Sequence, residues 1–278
     1  MKENVVLISQ PRSGSTVLFD LLSNNRHPYM DQHKSEFLDC TDTFFPSDKN
    51  NKLIWDDEVD NYYWSRDYDK LKKYYQDRDF SDCVYFTPVL NNGIIEVFSS
   101  DWNNNIIQFD CIRKEQLRRI DLLNHSAPWT IKVLDYQVDD FNWINRDNTT
   151  VIVLFRDLIE KIASHARQIN SGVWHTTQQS TPINIQKKID LNEVMEYTNA
   201  HNQFFKMIEV LNPDCVISYE WLLSNRVLQQ SKYKKVNIQD VSEFFVDYPT
   251  AKNYIEQNAM RPFVLNQNLL EELLCHSK

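Results

Sequence analysis

Residues 4–22 constrain the fold of this chain more than any other stretch, because a strand, a loop and a helix follow one another in them. Val5 to Ile8 are apolar and mostly β-branched, which is typical of a short buried strand. Pro11 and the polar residues around it end this run. The apolar positions beyond the loop have the three-and-four spacing of one helix face, and they are Leu18, Leu21 and Leu22. The stretch therefore predicts a strand–loop–helix unit.

The loop of this unit has the composition of an anion-binding site. In such an arrangement, successive backbone N–H groups and the N-terminus of the helix point at whatever anion lies in the loop. Gly14 gives the backbone the freedom that a close approach to a ligand requires. Arg12 adds a fixed positive charge. Hydroxyl donors come from Ser13, Ser15 and Thr16.

The loop does not have the pattern of an ordinary ATPase or GTPase. A Walker loop requires a Gly-Lys-Ser/Thr sequence at its end, and Ser15 stands where the Lys should be. The loop therefore predicts a phosphate-type site without the usual lysine of nucleotide hydrolases.

A second predicted phosphate site follows another buried strand. Val151 to Phe155 form an unambiguous apolar strand, and Arg156 stands at its carboxyl end, where open α/β sheets bind ligands. Ser164 lies eight residues further along a predicted helix, so it returns to a similar face. A guanidinium and a hydroxyl placed in this way can hold one phosphate between them.

Strands alternate with helices along the chain, which predicts an α/β fold with a mostly parallel central sheet flanked by helices. Further strands are predicted at 129–134 and 215–217, and a long helix at 193–211. We expect one domain over residues 1–278, because no repeat or linker is visible. Residues 41–60 are expected to be loop-like. The aromatic stripe in 62–75 is expected to pack in the core, and the basic cluster at 113–119 to form a solvated helix face.

Composition excludes some classes of function. The net charge of −9 argues against a general nucleic-acid binder. No apolar run is long enough to span a membrane, and the first strand begins too soon after Met1 to leave room for a secretory signal. Five widely spaced cysteines are typical of reduced thiols. We therefore expect a cytoplasmic protein.

The hexapeptide Pro11–Thr16 resembles the loop of sulfotransferases that use 3′-phosphoadenosine 5′-phosphosulfate (PAPS). It has the Pro-Arg-Ser-Gly-Ser-Thr form found in tyrosylprotein and trehalose sulfotransferases. The spacing of Arg156 and Ser164 is similar to the family's 3′-phosphate site, and Tyr219 to Leu223 are similar to its Tyr-Glu-Asp-Leu segment, with Trp221 in place of Asp. The resemblance implies a P-loop-like fold and an enzyme that transfers a sulfuryl group from PAPS to a hydroxyl, without a metal.

The resemblance also implies roles for individual residues. Arg12 and Lys132 would be the cations beside the sulfate, and Glu36 would be the base, with His33 as its rival. Residues of the first loop would hold the 5′-phosphate, and these are Arg12, Ser13, Gly14, Ser15 and Thr16. Arg156 and Ser164 would hold the 3′-phosphate. Tyr219 and Arg261 would also bind the cofactor. Arg261 is the nearest basic element to the family's C-terminal basic loop.

The sequence departs from the family in two places and leaves alternatives open. Leu134 stands where cytosolic members carry a catalytic His, and the C-terminal Arg-Lys-Gly and Gly-x-x-Gly loop is missing. A nucleotide-binding kinase or NTPase-like protein, or an inactive PAPS-binding protein, are the alternatives. The acceptor would be a small molecule or a glycan or peptide hydroxyl, whose pocket residues 171–185 and 40–128 are expected to shape.

Overall fold

The computed structural model of the chain describes residues 2–23, 36–48, 53–65, 67–102, 109–126, 128–137, 140–171, 185–225, 227 and 240–276. The chain forms two compact units. The first consists of Met1–Asn25 and Thr130–Lys278, and the second of Arg26–Trp129. The expectation of a single domain over 1–278 stays a prediction.

A parallel four-stranded sheet organises the first unit. Its elements are β1 (Asn4–Ser9), α1 (Ser15–Leu22), β4 (Thr130–Leu134), β5 (Thr149–Phe155), α6 (Leu158–Ser171), α7 (Leu191–Leu211), β6 (Cys215–Ser218), α8 (Tyr219–Ser224), α9 (Tyr248–Asn258) and α10 (Gln267–His276). The strand order is β4-β1-β5-β6, and all three pairings are parallel. The α/β class with a mostly parallel, helix-flanked sheet is therefore confirmed.

The register of the sheet brings the ends of three strands together. Ser9, the last residue of β1, pairs with Leu134 on β4 and with Leu154 on β5. Every residue of these three strands is buried, as expected of a parallel sheet with both faces covered. The segments that leave β1, β4 and β5 therefore start at one edge of the sheet.

Helices α6, α7 and α9 contact one another, and α1 contacts α10. Helix α7 begins at a capping box, in which Asp190 and Glu193 accept hydrogen bonds from each other's backbone N–H. It ends at Asn212 in the left-handed conformation, before Pro213. Val241–Phe244 form a short 3₁₀ helix. Helix α9 was not predicted from the sequence.

The second unit contains α2 (Thr41–Phe44), α3 (Asp57–Trp64), α4 (Tyr68–Gln76), β2 (Val84–Asn91), β3 (Ile94–Asp101) and α5 (Phe109–His125). Strands β2 and β3 form an antiparallel hairpin that turns at Asn92 and Gly93, both with positive φ. The expectation of a loop over 41–60 was wrong, because α2 and the start of α3 lie there. Leu71 and Tyr75 from the aromatic stripe are buried in this unit's core, as predicted.

The basic cluster on α5 is not a uniformly solvated face. Arg119 is completely buried, and its Nε donates to Glu115 Oε1 at 2.9 Å. Its Nη1 donates to the carbonyl of Phe37 at 2.8 Å. Burial of a guanidinium is tolerated here because several acceptors surround it. None of the helices that the structure describes is both long and apolar enough to cross a membrane.

Candidate functional site

The loop between β1 and α1 has an unusual backbone. Arg12 has a φ of 64° and Gly14 a φ of 80°, so two left-handed residues flank Ser13. Turns of this kind are common in backbone anion sites. A Cβ atom at Gly14 would lie 2.4 Å from ring carbons of Tyr219, so the close packing of the loop on Tyr219 requires glycine as well.

The structure brings both predicted phosphate sites into contact. Arg12 Nε and Nη2 lie 3.4 and 3.3 Å from Ser164 Oγ, to which they donate. Arg156 Nη1 donates to the carbonyl oxygen of Arg12 at 3.5 Å. Arg12 and Arg156 therefore lie on the same side of the sheet, beside the ends of two neighbouring strands.

Arg156 is held in place by two further groups. Its Nη2 lies 3.2 Å from Glu160 Oε2, and its guanidinium carbon lies 4.9 Å from the centre of the Tyr219 ring. Burial is the main cause that raises the pKa of Tyr219. The predicted site residues Arg12, Gly14, Arg156, Ser164 and Tyr219 are thus one connected cluster.

Two buried polar atoms of this cluster lack hydrogen-bond partners among the described residues. They are Ser13 Oγ and Arg156 Nε. Ser13 is only 1% exposed. Leaving a buried donor unsatisfied is unfavourable by about 1–3 kcal/mol, so these two groups could donate to a ligand at the loop.

The electrostatics of the cluster favour an anion. Burial is the largest cause that lowers the pKa of the Arg12 guanidinium, and the neighbouring charges of Arg156 and Arg167 lower it further. Like charges held close together in a half-buried site repel one another. A bound phosphate or sulfate would relieve this repulsion and accept hydrogen bonds from the guanidinium groups.

Lys132 lies beside the start of α1. It is buried in β4, and its Nζ donates to Thr16 Oγ1 at 3.1 Å. Ser15, the first residue of α1, is also buried. The predicted second cation therefore contacts the loop helix that should hold the 5′-phosphate.

The other residues with predicted site roles are Glu36, His33 and Arg261. Glu36 is described, but it belongs to the second unit, and its role as base stays a prediction. His33 lies outside the described residues, as do most of 171–185. Arg261 is exposed, and within the described part of the chain it makes no hydrogen bond or ion pair with the loop.

A cavity of about 460 Å³ adjoins Arg12 in the first unit. Polar residues of its lining include Gln10, Arg12, Asp135, Lys161, His165, Tyr197 and Gln203. Sequence analysis assigned a site role to Arg12 alone among them. A signal was present in α6, where Lys161, Ser164, His165 and Gln168 repeat at helical spacing on a face that is largely buried.

Lys161 and Asp135 are joined through Gln10. Lys161 Nζ donates to Gln10 Oε1 at 2.6 Å, and Gln10 Nε2 donates to Asp135 Oδ2 at 3.0 Å. Burial lowers the pKa of the Lys161 ammonium to about 8, and it raises the pKa of the Asp135 carboxyl. This chain of side chains ties α6, the end of β1 and the end of β4 together.

His165 forms the other polar pair of the cavity. Its Nδ1 makes a short hydrogen bond with the hydroxyl of Tyr197. Burial lowers the pKa of His165, and the nearby charge of Arg12 lowers it further. Burial also raises the pKa of Tyr197 to about 12. At neutral pH the ring of His165 is therefore uncharged and the Tyr197 hydroxyl keeps its proton.

Comparison of the chain with protein-family models, curated proteins and solved structures found no match.

Proposed function

We propose that the chain transfers a sulfuryl group from PAPS to a hydroxyl of an acceptor. The observation that carries the proposal is the contact between the two predicted phosphate sites, with Arg12 Nη2 3.3 Å from Ser164 Oγ and Arg156 Nη1 3.5 Å from the Arg12 carbonyl. A nucleotide with phosphate groups at both its 3′ and 5′ positions requires two such neighbouring sites.

The donor groups at the site fit this nucleotide. Arg156 and Ser164 supply a guanidinium and a hydroxyl for the 3′-phosphate. The loop amides, Ser15 and Thr16 supply donors for the 5′-phosphate. The buried Ser13 Oγ and Arg156 Nε lack partners among the described residues, and they are further donors for these oxygens.

PAPS supplies an activated sulfuryl group when it is bound. The part of the protein in such a transfer is mostly to position the reactants and to stabilise the charge that develops on oxygen. Arg12 and Lys132 are the cations we assign to that charge. The proton of the acceptor hydroxyl also requires a base.

The experiment compares the binding of 3′,5′-ADP and 5′-AMP by calorimetry. The wild-type chain should bind 3′,5′-ADP more tightly, because only this nucleotide has the 3′-phosphate. Arg156→Ala should lower the affinity for 3′,5′-ADP by roughly 10- to 100-fold, since a hydrogen bond to a charged group contributes about 1.5–3 kcal/mol. Its effect on 5′-AMP should be much smaller.

Arg146→Ala serves as the matched control. Arg146 forms an ion pair with Asp214 at 3.2 Å and is not part of the cluster, so both affinities should stay unchanged. Equal losses for the two nucleotides in Arg156→Ala would contradict the assignment of the 3′-phosphate site. Binding of 3′,5′-ADP without ³⁵S transfer to any hydroxyl compound would instead identify an inactive binding protein.

A further inference from the structure

The cavity beside Arg12 has features of a binding site for a compact, uncharged molecule. Its volume of about 460 Å³ lies in the range of small-molecule sites. Tyr136, Phe204 and Met207 give it an apolar wall. The charged side chains Lys161 and Asp135 are already connected through Gln10, so they do not require a charged ligand.

The position of the cavity connects it to the proposed reaction. Arg12 lines the cavity and also donates to Ser164 Oγ in the anion cluster. His165 follows Ser164 in the chain and lines the same cavity. A molecule in the cavity would therefore adjoin both Arg12 and His165.

We infer that this cavity binds the acceptor, an uncharged ring compound with a hydroxyl group, and that His165 takes the proton of that hydroxyl. The inference rests on the proposed function. In the tautomer that this role requires, Nδ1 carries a proton and donates to the Tyr197 oxygen, while Nε2 carries the lone pair. Tyr197 is then a positioning residue, because it fixes the ring and its tautomer.

The transfer step balances with these groups alone. The acceptor oxygen forms a bond to sulfur, and the bond between sulfur and the bridging phosphate oxygen breaks. The electron pair of that bond leaves with 3′,5′-ADP. The hydroxyl proton moves to Nε2 of His165. The lowered pKa of His165, caused by burial and by Arg12, keeps the ring neutral and able to accept this proton at pH 7.

The first part of the test measures binding in the cavity. The probe is 2-naphthol, titrated by calorimetry into the full chain saturated with 3′,5′-ADP. Ala200 lines the cavity at an exposed position of α7, so Ala200→Phe should fill space without disturbing the core. Ala200→Phe should weaken the binding of 2-naphthol at least tenfold and leave the binding of 3′,5′-ADP unchanged.

Asn199→Phe is the matched control, because Asn199 is exposed on the same helix but does not line the cavity. It should leave 2-naphthol binding as in the wild-type chain. Failure of 2-naphthol to bind the wild-type chain, or equal affinity for Ala200→Phe and the wild-type chain, would overturn the cavity assignment. Failure of 3′,5′-ADP to bind would overturn the proposed function instead.

The second part measures ³⁵S transfer from labelled PAPS to 2-naphthol. His165→Asn keeps a polar atom near the Nδ1 position and removes Nε2, so kcat should fall about 10²- to 10⁴-fold with KM and 3′,5′-ADP affinity unchanged. Tyr197→Phe should lower kcat by a smaller factor, also with KM unchanged. The control His125→Asn changes an exposed histidine of α5 and should have no effect.

Glu36→Gln separates the two candidate bases. If His165 takes the proton, His165→Asn loses more turnover than Glu36→Gln does. Loss of turnover in Glu36→Gln with near-normal turnover in His165→Asn would overturn the role of His165. Absence of transfer by a wild-type chain that binds both 2-naphthol and 3′,5′-ADP would overturn it as well.

Discussion

At the scale of single residues, the backbone of Arg12 carries the clearest sign of function. Left-handed conformations are unfavourable for side chains other than glycine by about 1–2 kcal/mol, yet residue 12 is an arginine with a φ of 64°. Such conformations cluster at ligand sites, where the surrounding structure enforces them. The strained backbone of Arg12 comes with a guanidinium that contacts Ser164 and lines the adjoining cavity.

This strain predicts a difference between two substitutions. Arg12→Gly should be more stable than Arg12→Ala by about 1 kcal/mol, because only glycine adopts a positive φ without strain. Both variants should lose affinity for 3′,5′-ADP, since both remove the charge. Urea unfolding measures the stability difference.

Asn212 offers a matched pair for this comparison. It has a φ of 50° at the end of α7 and lies outside the cluster, so its Gly and Ala variants should differ in the same direction while nucleotide binding is unaffected. Equal stability of Arg12→Gly and Arg12→Ala would show that residue 12 is not held in the left-handed region.

At the scale of elements, helices α6 and α7 supply much of the lining of the cavity. Helix α6 contributes Lys161 and His165, and α7 contributes Tyr197 and Phe204. The capping box fixes the start of α7, with Asp190 Oδ1 accepting from the Glu193 N–H at 2.9 Å. The position of Tyr197 therefore depends on a cap one to two turns before it.

Removal of the capping box of α7 should lower the stability of the protein modestly. Asp190→Ala should lower the free energy of unfolding by about 1 kcal/mol, because the first turn of α7 loses its acceptor. Asn192→Ala changes an exposed residue of the same turn and should stay within about 0.5 kcal/mol of the wild-type chain. Denaturant unfolding of both variants checks this, and equal effects would show that the capping box contributes nothing.

The elements also show what the sequence could predict. Strands β1 and β5 could be predicted because their apolar, mostly β-branched runs are typical of buried parallel strands. The hairpin of β2 and β3 was missed, although Asn92 and Gly93 between two strand-like segments are a hairpin signal. Burial of Arg119 was not predictable, because its acceptor at the Phe37 carbonyl is distant in the sequence and comes near it only in the fold.

At the scale of the whole molecule, the sheet explains why the anion cluster was predictable and the cavity was not. The ends of adjacent parallel strands meet at one edge, so Arg12 and Arg156 could be placed near each other from the strand pattern. The cavity combines residues that follow β1 and β4 with residues of α6 and α7, and no spacing in the sequence connects these elements. Asp135, His165 and Tyr197 therefore became visible as a group only in the structure.

Lys161 predicts how stability depends on pH. Its pKa of about 8 lies below that of a lysine in the unfolded chain, so between about pH 8 and 10.5 the unfolded state binds more protons. Burial of the Lys161 ammonium therefore lowers the free energy of unfolding below pH 8. The free energy of unfolding should rise as the pH increases from about 8 to 10.5. The total change should be up to about 3 kcal/mol.

The measurement is the difference between the wild-type chain and Lys161→Met in urea unfolding at pH 7 and pH 10. The difference cancels the other groups that titrate in this range. The wild-type chain should gain stability relative to the variant as the pH rises. Parallel pH profiles would show that the ammonium of Lys161 is not destabilised by burial.

The central claim is that one nucleotide places a phosphate at each of two neighbouring strand ends. A crystal structure of the chain with 3′,5′-ADP tests it most directly. The 5′-phosphate should lie in the loop of Ser13 to Thr16 and the 3′-phosphate on Arg156 and Ser164. A nucleotide that touches only one of these sites, or that binds elsewhere, would contradict the account.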